Sequence, residues 1–231
     1  MNILSWDIEA SNLNADFGIM LCCGFKVVGQ GSPKVLRIDD FPGSNIIKKE
    51  KALLRAVSAR LLEADCWLTH FGTWYDIPFV NTRLLYHTLP TLPTNFPHVD
   101  TWKISKNHLK LRNNRLITIS EFLGTRDEKN AIKPEQWLLA LGGHRGSMSY
   151  IVEHCRRDVL VLEQAYGKLR HLINNHPVFN LVSEKGVCKT CGSSNLQWRG
   201  YHRTRQHAYR RFHCQDCGQW DHDRKALKGV A

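Results

Sequence analysis

Ile3-Leu4-Ser5-Trp6-Asp7-Ile8-Glu9 is an apolar run that sets two carboxylates two residues apart just before the apolar pattern breaks. On a strand, residues i and i+2 point to the same face. The run therefore predicts a buried strand with Asp7 and Glu9 side by side at its end. Two anions held that close repel one another and lose hydration, which is costly for each buried ion unless positive charge lies between them. A divalent metal ion supplies that charge. Taken alone, the stretch leaves a second reading open, an exposed Asp-x-Glu at a strand end.

Outward from this run, residues 18–28 read as a second buried strand and residues 34–41 as a third, joined by a Gly-Gln-Gly-Ser-Pro turn in the manner of an antiparallel meander. Cys22 and Cys23 fall inside the apolar run and read as packing residues. Residues 46–64 carry Ile46, Ile47, Leu53, Leu54, Val57, Leu61 and Leu62 at helical period, with Lys and Arg opposite. Residues 66–70 predict a short strand, 74–86 a helix, and Val99-Asp100-Thr101 the end of a last strand, after a proline-rich crossing loop. Helical spacing returns over 103–123. A short helix is expected over 134–141 within the less regular stretch 127–146. The clearest helix spans 147–173, with a stripe of Ile151, Val152, Cys155, Val159, Leu162, Ala165, Leu169 and Leu172. Helices and strands alternating after a meander predict an α/β fold, a mixed sheet flanked by helices, over residues 1–182. A second, small domain is expected over 183–231.

Composition narrows the function classes. With 42% apolar residues and 10% aromatics the chain of 231 residues should fold. It has no run of 18 apolar residues and no basic-then-apolar amino-terminal segment, so the expectation is a cytoplasmic protein with reduced thiols. Its eight cysteines are then metal ligands or buried thiols before they are disulfides. Of the net charge of +11, residues 183–231 hold +6, from 10 Lys and Arg against 4 Asp and Glu. That concentration points to a polyanionic partner, nucleic acid first; a merely basic, solvated surface is the alternative.

Two further acids stand where acids are unfavourable unless paired or ligated. Asp76 opens the helix after the 66–70 strand, in His70-Phe71-Gly72-Thr73-Trp74-Tyr75-Asp76-Ile77-Pro78-Phe79, and Asp158 lies mid-helix beside the apolar stripe. With these residues in view, the chain resembles the DEDD superfamily of 3′–5′ exonucleases, whose fold is related to ribonuclease H. Asp7-x-Glu9 matches the first motif, the His70–Phe79 run looks like the second, and the Asp158 helix looks like the third, in order over residues 1–175. The resemblance implies a ribonuclease H-like fold and two Mg²⁺ or Mn²⁺ ions held by Asp7, Glu9, Asp76 and Asp158. It also implies two-metal-ion hydrolysis of DNA or RNA from a single-stranded 3′ end to nucleoside 5′-monophosphates. The family carries a water-orienting Tyr four residues, or His five residues, before the last Asp. This chain departs from both, with His154 at four and Glu153 at five. A side chain at i−4 shares the helix face of residue i, which makes His154 the expected proton acceptor; a surface or core histidine, or Tyr150, are the alternatives. Asp100 reads as a structural residue or a helix cap, and His70 as a packed loop residue before it is a ligand. Trp74, with Phe71 and Tyr75, could stack on a terminal base; core packing is the other reading, for at least one of the three.

Near the carboxyl end, Cys188-Lys-Thr-Cys191-Gly and Cys214-Gln-Asp-Cys217-Gly form two knuckles. Four thiolates suit one tetrahedral structural Zn²⁺, without which so short a segment scarcely folds. The pattern resembles a zinc ribbon; free thiols or disulfides are the other readings. Between the knuckles, Arg199, Tyr201, Arg203, Arg205, Tyr209, Arg210 and Arg211 interleave charge with aromatic rings, as nucleic-acid contacts do. The same aromatics could instead cover the ribbon's own core or dock a protein. His202, His207 and His213 read as spare imidazoles. The expected protein is a metal-dependent 3′–5′ exonuclease whose zinc ribbon grips the substrate. The alternatives are a non-catalytic zinc-ribbon adaptor with a degenerate nuclease fold and a ribonuclease H-like endonuclease.

Overall fold

A computed structural model of the chain describes residues 2–125, 132–173, 176–177 and 186–227. The expected domain boundary near 182 and part of the irregular stretch 127–146 lie outside the described residues. Contacts divide the chain into two compact units, Met1–Gly167 and Lys168–Ala231.

The first unit is built on the opening run. Ile3–Ala10 forms β1, followed by β2 (Met20–Val27) and β3 (Lys34–Arg37). Helix α1 (Ile46–Leu62), β4 (Cys66–Thr69), α2 (Asp76–Tyr86) and β5 (His98–Asp100) complete a five-stranded sheet of order β3-β2-β1-β4-β5. β1 is central, antiparallel to β2 and parallel to β4. It is buried on both faces over its first half, because different layers cover each side. Leu4, Trp6 and Ile8 point one way. Trp67, opposite Leu4, meets Trp6 edge-on at 6.0 Å and donates from Nε1 to the Leu61 carbonyl of α1 at 2.9 Å. Ser5, Asp7 and Glu9 point the other way, toward α6 (Arg145–Leu169): Ser5 Oγ donates to the Val159 carbonyl at 3.3 Å. Ile151, Val152, Cys155, Val159, Leu162, Ala165 and Leu169 of α6 are all buried, and each large side chain among them contributes about 1.5–3 kcal/mol.

Departures from the expected elements have local causes. The third strand stops at Arg37 and passes into a 3-10 turn over Ile38–Asp40. The helix expected over 74–86 starts at Asp76. The one expected over 103–123 is two helices, α3 (Thr101–His108) and α4 (Leu116–Leu123). Between them Asn113 caps locally, accepting from Arg115 N and Thr118 Oγ1, and Asn114 Oδ1 accepts from Ser105 Oγ; such Asn side chains compete with the helical backbone. Helix α5 (Pro134–Leu141) matches the expectation, opened by a proline at its first position. No helix among the described residues is long and apolar enough to cross a membrane.

The second unit is a three-stranded antiparallel sheet, β6 (Leu196–Arg203), β7 (Ala208–Cys214) and β8 (Trp220–His222), in that order. Its small core consists of Phe212 and the knuckle cysteines, with Leu196 packed against them.

Candidate active site and metal centre

Asp7 and Glu9 emerge half-buried on the α6 side of β1, where the register with β2 shifts between Glu9 and Ala10. A bulge at that place re-aims the strand beside Glu9, a common arrangement beside active sites, and pairing resumes with Ala10 opposite Met20. Helix α6 comes close to this face because Gly24 lies opposite Asp7: a Cβ there would stand 2.9 Å from Cys155 Sγ and 3.0 Å from Val159 Cγ2. Cys155 Sγ in turn donates to the Asp7 carbonyl at 3.5 Å. Beside that contact, His154, the residue before Cys155, and Asp158, three residues after it, face the strand end. His154 Nε2 lies 3.8 Å from Glu9 Oε1 and 3.6 Å from Asp158 Oδ2. One ligand atom from each of the three falls within 4.8 Å of the others, close enough to share a metal ion.

Asp76 arrives from α2. Its Oδ1 accepts the Ile8 amide of β1 at 3.2 Å, tying the first residue of the helix to the strand between Asp7 and Glu9. Burial pushes its carboxyl up to about 7, assisted by the Asp100 charge and opposed by the backbone amides of Ile8 and Asp76. Three neighbours register the shared negative field. The Tyr75 hydroxyl is raised by burial and then by Asp76, Glu9 and Asp7; the Cys23 thiol by burial, Cys22, Asp7 and Asp76. The Cys155 thiol is raised by its hydrogen bond with Cys22, by burial, and then by Asp7 and Glu9. Carboxylate oxygens gathered in such a field suit a hard divalent cation, and a cation there would relieve both the repulsion and the raised pKa of Asp76.

The loop before α2 is fixed by sterics. Phe71 takes φ 66°, and at Gly72 a Cβ would stand 2.2 Å from Thr69 Oγ1, so no other residue fits. Asp100 is the helix cap expected: it accepts from Trp102 N at 3.0 Å and also from the amides of Phe71 and Thr73 at 2.9 and 3.0 Å. His70 is the packed loop residue expected, its Nδ1 2.9 Å from Thr101 Oγ1. Trp74 is 62% exposed and lines a groove with Leu13, Asp16 and Pro78.

In the second unit the four knuckle sulfurs converge: Cys188 and Cys217 lie 3.6 Å apart, as do Cys191 and Cys214. A tetrahedron with arms of about 2.3 Å has edges slightly longer than this, so the set fits one metal ion. At Cys214 burial pushes the thiol up, but backbone amides of Cys217 and Asp216 outweigh it and hold the group below its usual value. The proposed nucleic-acid residues do not form one surface. Tyr209 and Arg211 lie on one face of the sheet, while Tyr201 and Arg210, paired to one another, lie on the other.

Sequence reasoning missed the residues that support the site. Gly24 is a lone glycine inside a strand pattern, a recognised sign of close backbone approach. Glu50, buried in α1, and Arg83 of α2 carry no periodic signal, since each interrupts an apolar face.

No curated protein sequence matches the chain. Among solved structures, the family B DNA polymerase from the hyperthermophilic archaeon Pyrobaculum calidifontis is similar, with a TM-score of 0.56 at 16% identity. The likeness covers 72% of this chain and 24% of that one, so this chain spans about a quarter of the polymerase's length, and at that identity the likeness is one of fold. A family model described as RNase_H superfamily matches residues 4–170. That span holds β1, the sheet and the three elements bringing acids to its end, and the chain belongs to the RNase H superfamily.

Proposed function

We propose that the chain is a metal-dependent 3′–5′ exonuclease of the DEDD type. The observation that carries the reading is the convergence of Glu9, His154 and Asp158 at the end of β1, with Asp76 hydrogen-bonded to the strand between Asp7 and Glu9. Asp7, Glu9, Asp76 and Asp158 would hold two Mg²⁺ or Mn²⁺ ions. When bound, such ions supply Lewis acidity and neutralise charge on both sides of a phosphodiester. His154 Nε2 accepts the proton of the attacking water, and Asp158, one turn away, keeps the imidazole oriented. Trp74 stacks on the terminal base in the groove it shares with Leu13. The products are a nucleoside 5′-monophosphate and a strand one residue shorter with a free 3′ hydroxyl.

Residues 1–182 form the nuclease domain and 183–231 a ribbon closed by one structural Zn²⁺ on Cys188, Cys191, Cys214 and Cys217, as suits a reducing, cytoplasmic setting. Arg199, Tyr201, Arg203, Arg205, Tyr209, Arg210 and Arg211 give the ribbon its affinity for nucleic acid. The test is a 5′-labelled single-stranded oligonucleotide incubated with Mg²⁺ or Mn²⁺ beside Asp7→Ala. A ladder shortening from the 3′ end, lost in the variant, is expected. Internal cuts would make the protein an endonuclease, and no metal-dependent cleavage would leave a binding adaptor.

A further inference from the structure

The two faces of the ribbon sheet differ in kind. On one, Phe212 and Cys214 are buried over the knuckles, and Trp198 meets Phe212 edge-on at 5.3 Å. Arg210 lies over the Trp198 ring at 4.5 Å, so on this face Trp198 lies against the core and is itself capped, while Tyr201, opposite Arg210, stays exposed. Strand alternation and register put a different set on the opposite face: Tyr209, Arg211 and His213 from β7, His202 opposite Tyr209, His222 opposite Arg211, and Trp220 opposite His213. These rings stack on each other. His202 and His222 lie parallel at 4.3 Å and 9°, Tyr209 joins His222 at 5.0 Å, and His213 stacks on Trp220 at 4.7 Å and 23°. Arg211 lies over Trp220 at 4.9 Å and donates from Nε to the Arg199 carbonyl at 3.2 Å, which fixes its position and leaves its Nη groups to meet an anion.

We propose that this face is a stacking platform for single-stranded nucleic acid, with His202, Tyr209, His222 and Trp220 taking bases and Arg211 a phosphate. It deepens the nuclease reading and rests on it for the origin of the strand. Three observations choose the occupant. The ribbon's core is filled from the other face, so six aromatic and basic residues here serve no packing need. Residues 196–213 contain five Arg and no Asp or Glu, a charge that complements a polyanion. The spacing selects single strands: Tyr209 and His213 stand four residues apart on one strand face, about 13 Å, with Arg211 midway. A duplex keeps its base faces stacked on one another about 3.4 Å apart and so closed to stacking by side chains; two ring stations so far apart suit bases that are spread.

The test reads binding on the full chain carrying Asp7→Ala, so that the labelled oligonucleotide survives. In that background Trp220→Ala with His202→Ala should weaken single-strand binding at least about tenfold, in line with the loss of one or two base stacks. Duplex binding should change far less. Trp220→Phe, which keeps a ring, should stay close to the parent, and Arg211→Gln should lower the salt slope by about one phosphate. Zinc content measured on each variant reports whether the ribbon is intact; if Trp220→Ala loses metal, Trp220→Leu serves in its place. Unchanged single-strand affinity with metal retained overturns the platform. So do an equal loss for duplex, and a parent chain that binds no oligonucleotide and self-associates through this face. Because binding and not turnover is read, a failed nuclease assay with ring-dependent binding preserved counts against the nuclease alone and supports the platform.

Discussion

Glu50 accepts two hydrogen bonds from Arg83, from Nε at 3.0 Å and from Nη2 at 2.6 Å, with both side chains almost wholly buried. The same carboxylate accepts the Met20 amide at 2.8 Å and lies 2.7 Å from His87 Nε2, while Arg83 Nη1 donates to the Ala15 carbonyl at 3.0 Å. One buried pair thus ties α1 and α2 to the chain between Glu9 and β2, and α2 carries Asp76.

Removing one partner strands the other's charge in the core, so Arg83→Leu should lower stability by about 3–5 kcal/mol in urea unfolding. Glu50→Leu combined with Arg83→Leu should cost clearly less than the two single losses added, because no lone ion is left. Additive losses would mean that the two side chains are not coupled.

Gly24→Ala drives a methyl group toward Cys155 Sγ and Val159 Cγ2, and overpacking of that kind costs about 1–3 kcal/mol. Helix α6 must give way, and with it His154 and Asp158. The expected result is a fall in Mn²⁺ affinity by titration calorimetry larger than the stability loss explains. Cys155→Ala in the same chain should recover part of it. Normal metal binding by Gly24→Ala would show that α6 adapts without moving the site.

This pair of cases marks how far the sequence could be read. Asp7, Glu9, Asp76 and Asp158 were legible as candidates because acids beside apolar stripes are rare and because period 2 and period 3.6 say which of them share a face. The five-stranded mixed sheet followed from the same periods. What closes the site was not legible. Gly24 matters through the distance to a helix more than a hundred residues later, and Glu50 through a partner on another helix. The ribbon's faces were hidden for a different reason: β6 and β7 shift register between Trp198 and Tyr201, so alternation counted along the sequence does not pair the strands correctly.

His98 gives a pH dependence of stability. Burial holds its imidazole down at about 4, with Asp100 opposing and Lys103 assisting, and Thr69 Oγ1 lies 2.8 Å from Nε2. The folded chain therefore takes up this proton only near pH 4, whereas the unfolded chain does so near the usual 6.5. Its contribution is full above pH 6.5 and is lost as pH falls toward 4, on the order of 2–3 kcal/mol in all. In His98→Asn the unfolding midpoint should vary less between pH 7 and pH 4. An identical profile would remove His98 as the source.

The metal proposed for the knuckles can be tested by withdrawal. With a core of the four cysteines, Phe212 and Leu196, the ribbon has too little apolar burial to stay folded alone. A strong chelator, or Cys188→Ser, should release the metal and abolish amide-exchange protection over residues 196–222, leaving β1 to β5 protected. Protection that survives with the metal gone would show that the ribbon folds without it.

His154 stands almost equally near Glu9 and Asp158, which leaves it two chemical uses, proton acceptor and metal ligand. The two separate kinetically. As a proton acceptor its loss acts on turnover, so His154→Asn should lower kcat by about 10²–10⁴-fold while Mn²⁺ affinity stays within about tenfold of the parent. Asp158→Asn, which removes the negative charge of a proposed ligand, should weaken Mn²⁺ binding far more. The pH profile of kcat should change shape in His154→Asn, because the imidazole that takes up the proton is gone. A variant that loses metal affinity as badly as Asp158→Asn, and regains activity at high Mn²⁺, would make His154 a ligand, with proton transfer left to solvent.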